Sequence, residues 1–131
     1  MKLITAIIRP EKLEDVRTEL FAVQVTGMTI TKVSGHGGES EPFATYFRGA
    51  PLVNDFRDKI RFDIAVSEPF VQATVNAIVK GGRTGDVGDG KIFIRPLEQV
   101  VRIRTGETDL DALTPDPMRF PGILEAAIPG C

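Results

Sequence analysis

The spacing of apolar and polar residues predicts a strand, a helix and a second strand in the first third of the chain. Residues 2–8 are β-rich and mostly apolar, and Pro10 then opens a segment suited to an amphipathic helix. Apolar residues recur in that segment at helical spacing, at Leu13, Val16, Leu20 and Val23. Gly27 is expected to end the helix, and the β-branched residues of 28–33 favour a strand.

A second unit of the same kind begins after residue 57. Four apolar residues alternate there with polar or small ones, which predicts a strand with one buried face: Ile60, Phe62, Ile64 and Val66. Ser67 is expected to cap a helix with Pro69 in its first turn, and the helix should reach Gly81 and Gly82. Residues 91–94 and 100–104 are β-rich and predict the last strands.

The order of these elements predicts one α+β domain, a ferredoxin-like βαββαβ sandwich with a short extra strand. This domain covers residues 1–112 and leaves a Pro-rich C-terminal extension over residues 113–131. Between the two units, residues of about 37–57 form a connection longer than a compact domain usually needs, so a functional loop is expected there. A chain of 131 residues can bury a core without disulfides or metal.

Composition narrows the function classes. The net charge of -2 and the isoelectric point near 5.4 give no reason to expect general binding to nucleic acids or anionic membranes. Cys131 is the only cysteine, which excludes an intrachain disulfide and a cysteine-rich metal site. No apolar run approaches the ~18 residues that span a bilayer, and no cleavable apolar region follows Met1, so a cytoplasmic protein is expected.

The segment Thr84–Lys91 is the strongest candidate for chemistry. Its three glycines and one lysine stand between a predicted helix and a predicted strand, where free backbone N–H groups can cradle an anion. Arg102 and Arg104, two residues apart on a predicted strand, would project from one face and suit phosphate oxygens. We therefore expect a phosphate site, provided that the folded subunits bring these cations together.

Other functions remain open on the same fold. An acylphosphatase-like hydrolase could use Arg9, and a phosphotransferase could use His36, but neither residue has an evident catalytic partner in the sequence. An RNA-binding module would need strand aromatics for base stacking. Only Phe62 and Phe93 qualify, and the alternation places Phe62 in the buried set. No residue is assigned a catalytic or metal-binding role.

Five segments resemble the PII signal-transduction family: residues 6–10, 27–33, 46–50, 84–93 and 101–107. The resemblance implies a regulatory protein rather than an enzyme, built as a compact homotrimer of ferredoxin-like subunits. It implies ATP or ADP as bound effector in the intersubunit clefts. It also implies a long T-loop, residues of about 37–57, that contacts a target transporter or enzyme.

The resemblance also implies the ligands of the nucleotide, residue by residue. Gly88, Asp89, Gly90 and Lys91 would line the phosphates. Arg102 and Arg104 would reach the phosphates from the last strand. Thr29, Gly35 and Gly37 would frame the base and ribose, and Ala65 would lie beside the base by its position alone.

Departures from the family pattern refine this expectation. Gly38 and Glu39 stand where the family usually has an Arg-Gln pair, and a carboxylate there argues against 2-oxoglutarate and magnesium as effectors. Asp86 stands where lysine is common, which favours ADP or AMP. These departures suggest a divergent branch linked to inorganic carbon, with bicarbonate as a candidate effector; the alternative is a nitrogen-regulatory PII protein that senses 2-oxoglutarate.

Overall fold

The structure, a computed structural model, describes residues 1–36, 45–47, 50–52 and 56–115. Two short 3-10 turns, Pro10–Lys12 and Glu68–Phe70, lead directly into the two longer helices. The strands and helices in chain order are β1 (Lys2–Ile8), α1 (Leu13–Ala22), β2 (Thr29–Gly35), β3 (Thr45–Phe47), β4 (Ala50–Leu52), β5 (Arg57–Val66), α2 (Val71–Gly82), β6 (Gly90–Pro96) and α3 (Leu110–Leu113).

Four of the strands form one antiparallel sheet in the order β2-β5-β1-β6. β3 and β4 pair with each other in a separate two-stranded sheet that belongs to the long loop. With α1 and α2 as the crossover helices, the sheet confirms the predicted ferredoxin-like α+β fold. β1 lies inside the sheet, so its backbone is held by β5 on one side and by β6 on the other.

The core lies between the sheet and the two helices. Alternate residues of β5 are buried, which confirms the alternation seen in the sequence, and Phe62 and Ile64 are fully buried. β1 contributes Ile4, Ala6 and Ile8 to the same core. The opposite sheet face carries polar and charged residues of β5, including Lys59, Arg61 and Asp63 in alternating positions.

The two helices pack closely where α2 ends. A Cβ atom on Gly81 would lie 2.7 Å from the Cα of Val16 and 2.8 Å from the carbonyl oxygen of Asp15, both in α1. Only glycine therefore allows the two backbones to approach this closely. The next residue, Gly82, is different, because its Cβ would meet a Val16 methyl at an ordinary 3.5 Å.

The end of the first helix differs from the sequence-based expectation. α1 ends at Ala22, not at Gly27, and Gln24 takes the left-handed conformation with φ of 66°. The backbone N–H of Val25 then donates to the carbonyl of Leu20 at 2.9 Å. Val25 is buried as a result, so a core contact, and not a glycine, decides where the helix stops.

The predicted strand over residues 100–104 is also wrong. Only an isolated bridge joins Val101 to Thr108, because the chain reverses between them. The amide of Arg102 donates to the Glu107 carbonyl at 2.8 Å, and Gly106, with φ of 74°, donates to the Arg102 carbonyl at 2.7 Å. The short helix α3 follows this turn and was not predicted.

Three further expectations concern the cap of α2, the C-terminal extension and a membrane span. Ser67 precedes the turn before α2, but its side chain makes no capping hydrogen bond. Most of the expected extension over residues 113–131 lies outside the described residues. Within the described ranges, no helix is long and apolar enough to cross a membrane.

Gly81→Ala should destabilise the fold by about 1–3 kcal/mol, because the added methyl meets backbone atoms of α1 that cannot move aside independently. Gly82→Ala is the matched control at the same helix end. It should leave stability unchanged or raise it by up to about 1 kcal/mol, since alanine favours a helix more than glycine does. Urea unfolding measures both changes, and equal effects of the two substitutions would contradict the close helix contact.

Candidate anion-binding site

The segment between α2 and β6, residues Thr84–Gly90, forms a tight turn that we call the glycine loop. Gly85, Gly88 and Gly90 have φ values of 94°, 104° and 105°, which side chains other than glycine rarely tolerate. A Cβ on Gly90 would lie 1.7 Å from the carbonyl oxygen of Ile7. The loop is therefore pressed against the end of β1, and its glycines are required by the backbone itself.

Asp89 organises the inside of the loop. Its carboxylate accepts hydrogen bonds from the backbone amides of Thr84 and Gly85 at 2.8 and 2.9 Å, and from the Thr84 hydroxyl. Arg9 adds a fourth bond from Nε at 2.9 Å. The Thr84 hydroxyl and then the Arg9 guanidinium hold the pKa of Asp89 far below its usual range. The carboxylate therefore stays charged and is committed to closing the loop.

Three cations surround the loop. Arg9 donates from Nη2 to the Val87 carbonyl at 2.8 Å. Lys59, a nearly buried lysine of β5, donates from Nζ to the Gly88 carbonyl at 2.7 Å. Lys91 is the residue after the loop; it is exposed and lies opposite Ile7 in the sheet. The carboxylates of Asp89, Asp86 and Glu11 also act on Arg9, so an anion site here would depend on individual cations and N–H donors and not on an excess of positive charge.

Backbone amides in the later part of the glycine loop are suited to bind phosphate groups. Side chains of Asp89 and Thr84 already bind the amides of Thr84, Gly85 and Asp86, so an anion would meet the later part of the loop, around Val87 and Gly88. Backbone amides next to positive-φ glycines, with a lysine close by, are a common way to bind phosphate oxygens. In the ranges that the structure describes, no cluster of three or more acidic, histidine or cysteine residues could hold a metal ion.

Gly35 is also brought toward this edge. It ends β2 opposite Arg57, and a Cβ placed on it would lie 3.8 Å from Cγ of Lys59. Since Lys59 in turn binds Gly88, these three residues link β2, β5 and the glycine loop. Gly37 lies outside the described residues, so its predicted role stays a prediction.

The remaining candidates lie away from the glycine loop. Thr29 begins β2 opposite Asp63, which pairs with Thr5 in the middle of β1. Ala65 lines a cavity of about 470 Å³ together with Phe70, Leu113 and Thr114. The guanidinium of Arg102 binds Glu107 at 2.6 Å and the carbonyls of Ala112 and Thr114. Thr114 therefore connects Arg102 to the Ala65 end of the sheet.

Arg102 and Arg104 do not share one face of a strand, which corrects the sequence-based expectation. Arg104 lies in the turn that follows Val101, and only the bridge at Val101 has strand character. The side chain of Arg102 is only 12% exposed in this single chain because it packs between Glu107 and the end of α3. Contact of either arginine with phosphate stays a prediction.

The structure thus separates the predicted site residues into two groups. β1 is seven residues long, about 20 Å, and joins the two ends of the sheet. The glycine loop lies beside Ile8 at one end, where Gly90 pairs with it. At the other end Lys2 pairs with Val66, close to Ala65. One chain therefore carries two groups of candidate residues, which we call the half-sites, about one strand length apart.

Sequence reasoning missed Arg9 as a loop residue, and it missed Lys59; it named Thr84 only as the first residue of the candidate segment. Arg9 was considered only as the arginine of a hydrolase, whereas its guanidinium binds Asp89 and Val87. The useful signal was the position of Arg9 directly after β1. A strand paired with β6 at Gly90 brings the next residue beside Asp89.

Comparison with known proteins gives one consistent family. The family model described as "Nitrogen regulatory protein P-II" matches residues 1–107. The protein named "Nitrogen regulatory protein P-II" of Cereibacter sphaeroides is 47% identical over 113 residues, 86% of this chain and 100% of the relative. "Nitrogen regulatory protein GlnK" of Escherichia coli (strain K12) is 42% identical over 113 residues, with the same coverage of both chains.

Asp89→Asn should lower the melting temperature at neutral pH, because the amide cannot accept all four hydrogen bonds or balance Arg9. The pKa of Asp89 is lowered in the folded state. The carboxylate therefore contributes fully to the stability of the fold when the pH is above 3.8, the ordinary pKa of aspartate, and this stability is lost as the pH falls below that value. The difference in melting temperature between the Asp89→Asn variant and the unsubstituted protein should therefore become smaller between about pH 4 and pH 3.

Asp86→Asn is the control for that experiment, since Asp86 lies in the same loop and is exposed. It should shift the melting temperature little at any pH. A gap for Asp89→Asn that stays constant down to about pH 3 would contradict a charged, loop-closing carboxylate.

Proposed function

Because this chain belongs to the nitrogen regulatory protein P-II family, we propose that it is a cytoplasmic regulator that binds an adenine nucleotide between the subunits of a homotrimer. Membership of the family makes it a regulatory signalling protein rather than an enzyme. The observation that carries the nucleotide proposal is the separation of the two half-sites by the length of β1. Such halves form one site only when two chains meet.

In this proposal the glycine loop of one subunit binds the phosphates. Val87, Gly88 and Lys91 supply the amides and the ammonium group, and Arg102 and Arg104 approach from the neighbouring subunit. Thr29, Gly35, Gly37 and Ala65 surround the base and ribose. Arg102 would exchange contacts on assembly, because its guanidinium binds Glu107 and two carbonyls in the single chain.

The signal would pass to the long T-loop through Lys59 and Gly35. Gly35 lies just before that loop and Lys59 lies just after it, and Lys59 binds the carbonyl of Gly88. A phosphate that reorients Gly88 would therefore act on both ends of the T-loop. A ligand with different affinity for two loop arrangements shifts their populations, and a target transporter or enzyme would bind one of them.

The comparisons favour nitrogen regulation over the inorganic-carbon interpretation. The relatives reported above are named for nitrogen regulation, and none of their names refers to carbon. They also give no support to the argument against 2-oxoglutarate, which rested on Gly38 and Glu39, outside the described residues. We therefore propose 2-oxoglutarate with magnesium as the first effector pair to test, and bicarbonate as the second.

Lys91→Ala should weaken binding of ATP and ADP by about tenfold or more, the scale of one charge-assisted hydrogen bond to phosphate. Arg95→Ala is the matched control: Arg95 lies on the same face of β6, four residues further along, and is also exposed. It should change the affinity less than about threefold. Isothermal titration of the two variants and the unsubstituted protein with ATP, ADP and AMP measures these changes.

The same titrations, repeated with 2-oxoglutarate plus magnesium and with bicarbonate, separate the two regulatory interpretations. Enhanced nucleotide binding with 2-oxoglutarate supports nitrogen sensing, and enhancement by bicarbonate alone supports the carbon interpretation. Absence of nucleotide binding would overturn the proposed function. Equal losses for Lys91→Ala and Arg95→Ala would mean that general charge, and not the loop, attracts the ligand.

Exposed apolar side chains after the glycine loop support the homotrimer. Five large ones are between 48% and 99% exposed: Phe93, Ile94, Val101, Ile103 and Leu110. Phe93 and Ile94 are consecutive in β6 and face opposite sides of the sheet. We propose that the exposed side chains from Val101 to Leu110 belong to a subunit interface, because large exposed apolar groups that lie together often mark one. Ile103 is the most exposed of them at 99%, and it lies between the two arginines that would reach a neighbouring site.

Ile103→Asp should therefore reduce the assembly from three chains to fewer, because it introduces a charge into an apolar contact. Phe21→Asp is the control, since Phe21 is 47% exposed on helix α1 and belongs to neither group of candidate site residues. Light scattering on the purified proteins reports the mass in multiples of 14.3 kDa. A trimer that survives Ile103→Asp at low protein concentration would exclude this residue from the interface.

A further inference from the structure

We propose that Arg9 is a positioning residue of the nucleotide site, which fixes the glycine loop through Asp89 and sets phosphate affinity without contacting the nucleotide. This inference rests on the proposed nucleotide-binding function and assigns a role that the sequence did not indicate.

Arg9 binds the loop at two points. Its Nε donates to Asp89 Oδ1 at 2.9 Å and its Nη2 donates to the Val87 carbonyl at 2.8 Å. A planar guanidinium bonded through two different nitrogens fixes both acceptors relative to each other. Gly88 lies between these acceptors, and a Cβ on it would come within 3.1 Å of Nη2. Arg9 therefore determines the path of the backbone where the phosphate is expected.

Arg9 is itself held in place. It directly follows β1, whose last residue, Ile8, pairs with both Ile60 and Gly90. It precedes Pro10, and its backbone is extended, with φ of -66° and ψ of 140°, as a residue before proline prefers. The guanidinium thus projects from the edge of the central strand and not from a free loop.

The contacts of Arg9 commit part of its guanidinium to the chain itself. Nε and one N–H of Nη2 donate to the loop, and Nη1 forms a longer ion pair with Glu11 at 3.9 Å. The side chain is only 24% exposed. Its second contribution is electrostatic, because it neutralises Asp89. Without Arg9, an unbalanced carboxylate would stand beside the phosphate groups and repel them.

The test is a double-mutant cycle on nucleotide affinity. Arg9→Met, Asp89→Asn and the double variant are titrated with ADP. Arg9→Met should weaken binding by about tenfold or more in the native background, the scale of a charge-assisted hydrogen bond. In the Asp89→Asn background, Arg9→Met should weaken ADP binding by less than about threefold, because the carboxylate that Arg9 binds has already been removed. Equal losses in both backgrounds would overturn the proposal.

Two further variants separate positioning from folding. Arg9→Lys keeps the charge but cannot form both bonds, so it should restore only part of the affinity. Arg17→Met removes an exposed arginine of α1 that pairs with Glu14, and it should leave ADP binding unchanged. Circular dichroism confirms that each variant is folded, and retained folding with lost affinity is the expected result for Arg9→Met.

Hydrogen exchange of the protein without nucleotide provides a readout that does not depend on binding. In Arg9→Met the amides of Thr84 and Gly85, which bind Asp89, should exchange faster, while those of α2 stay unchanged. Unchanged exchange at both amides would overturn the loop-fixing role. If the unsubstituted protein bound no nucleotide, the proposed function would be wrong, and so would the role of Arg9 in nucleotide affinity. Hydrogen exchange at Thr84 and Gly85 would still decide whether Arg9 fixes the loop.

Discussion

The pairing of β1 with both β5 and β6 is the constraint on which the candidate site depends. The two pairings end at Ile8, opposite Ile60 and Gly90, so Arg9 emerges at the point where the glycine loop ends. The same pairings place Lys59 close enough to bind the carbonyl of Gly88. Because both neighbours are fixed by backbone hydrogen bonds, these side chains reach the loop from a rigid sheet and not from mobile segments.

Within the glycine loop, backbone conformation and electrostatics support each other. Three positive-φ glycines allow the tight turn, and the Asp89 carboxylate gathers the amides of Thr84 and Gly85 inside it. Arg9 balances the charge that this carboxylate introduces. The loop is therefore built before any ligand arrives, which reduces the conformational entropy lost on binding.

The separation of the candidate residues between two ends of the sheet would connect nucleotide binding with assembly in the proposed function. Arg102 and Ala65 lie a strand length away from Gly88 and Lys91. If neighbouring chains complete the site, nucleotide binding and subunit contact stabilise one another by linkage. The exposed Ile103 beside Arg102 fits this arrangement, because one turn would then supply both an apolar contact and a phosphate contact.

The sequence determined the four strands of the main sheet, the two longer helices and the residue types of the glycine loop. Alternation at Ile60–Val66 and helical spacing after Pro10 and Ser67 report burial on one face, which is a local property of each segment. The end of α1 at Ala22 and the turn around Arg102 were decided by tertiary structure instead, since Val25 is buried by the core and Glu107 folds back on Arg102.

The roles of Arg9 and Lys59 also required the tertiary structure. They lie 80 and 29 residues from the loop atoms that they bind, and only strand pairing brings them together. Local patterns record which face of an element is buried, but they do not record which distant residues share an edge of the sheet. The sequence therefore identified the glycine loop, and the sheet order decided what holds it.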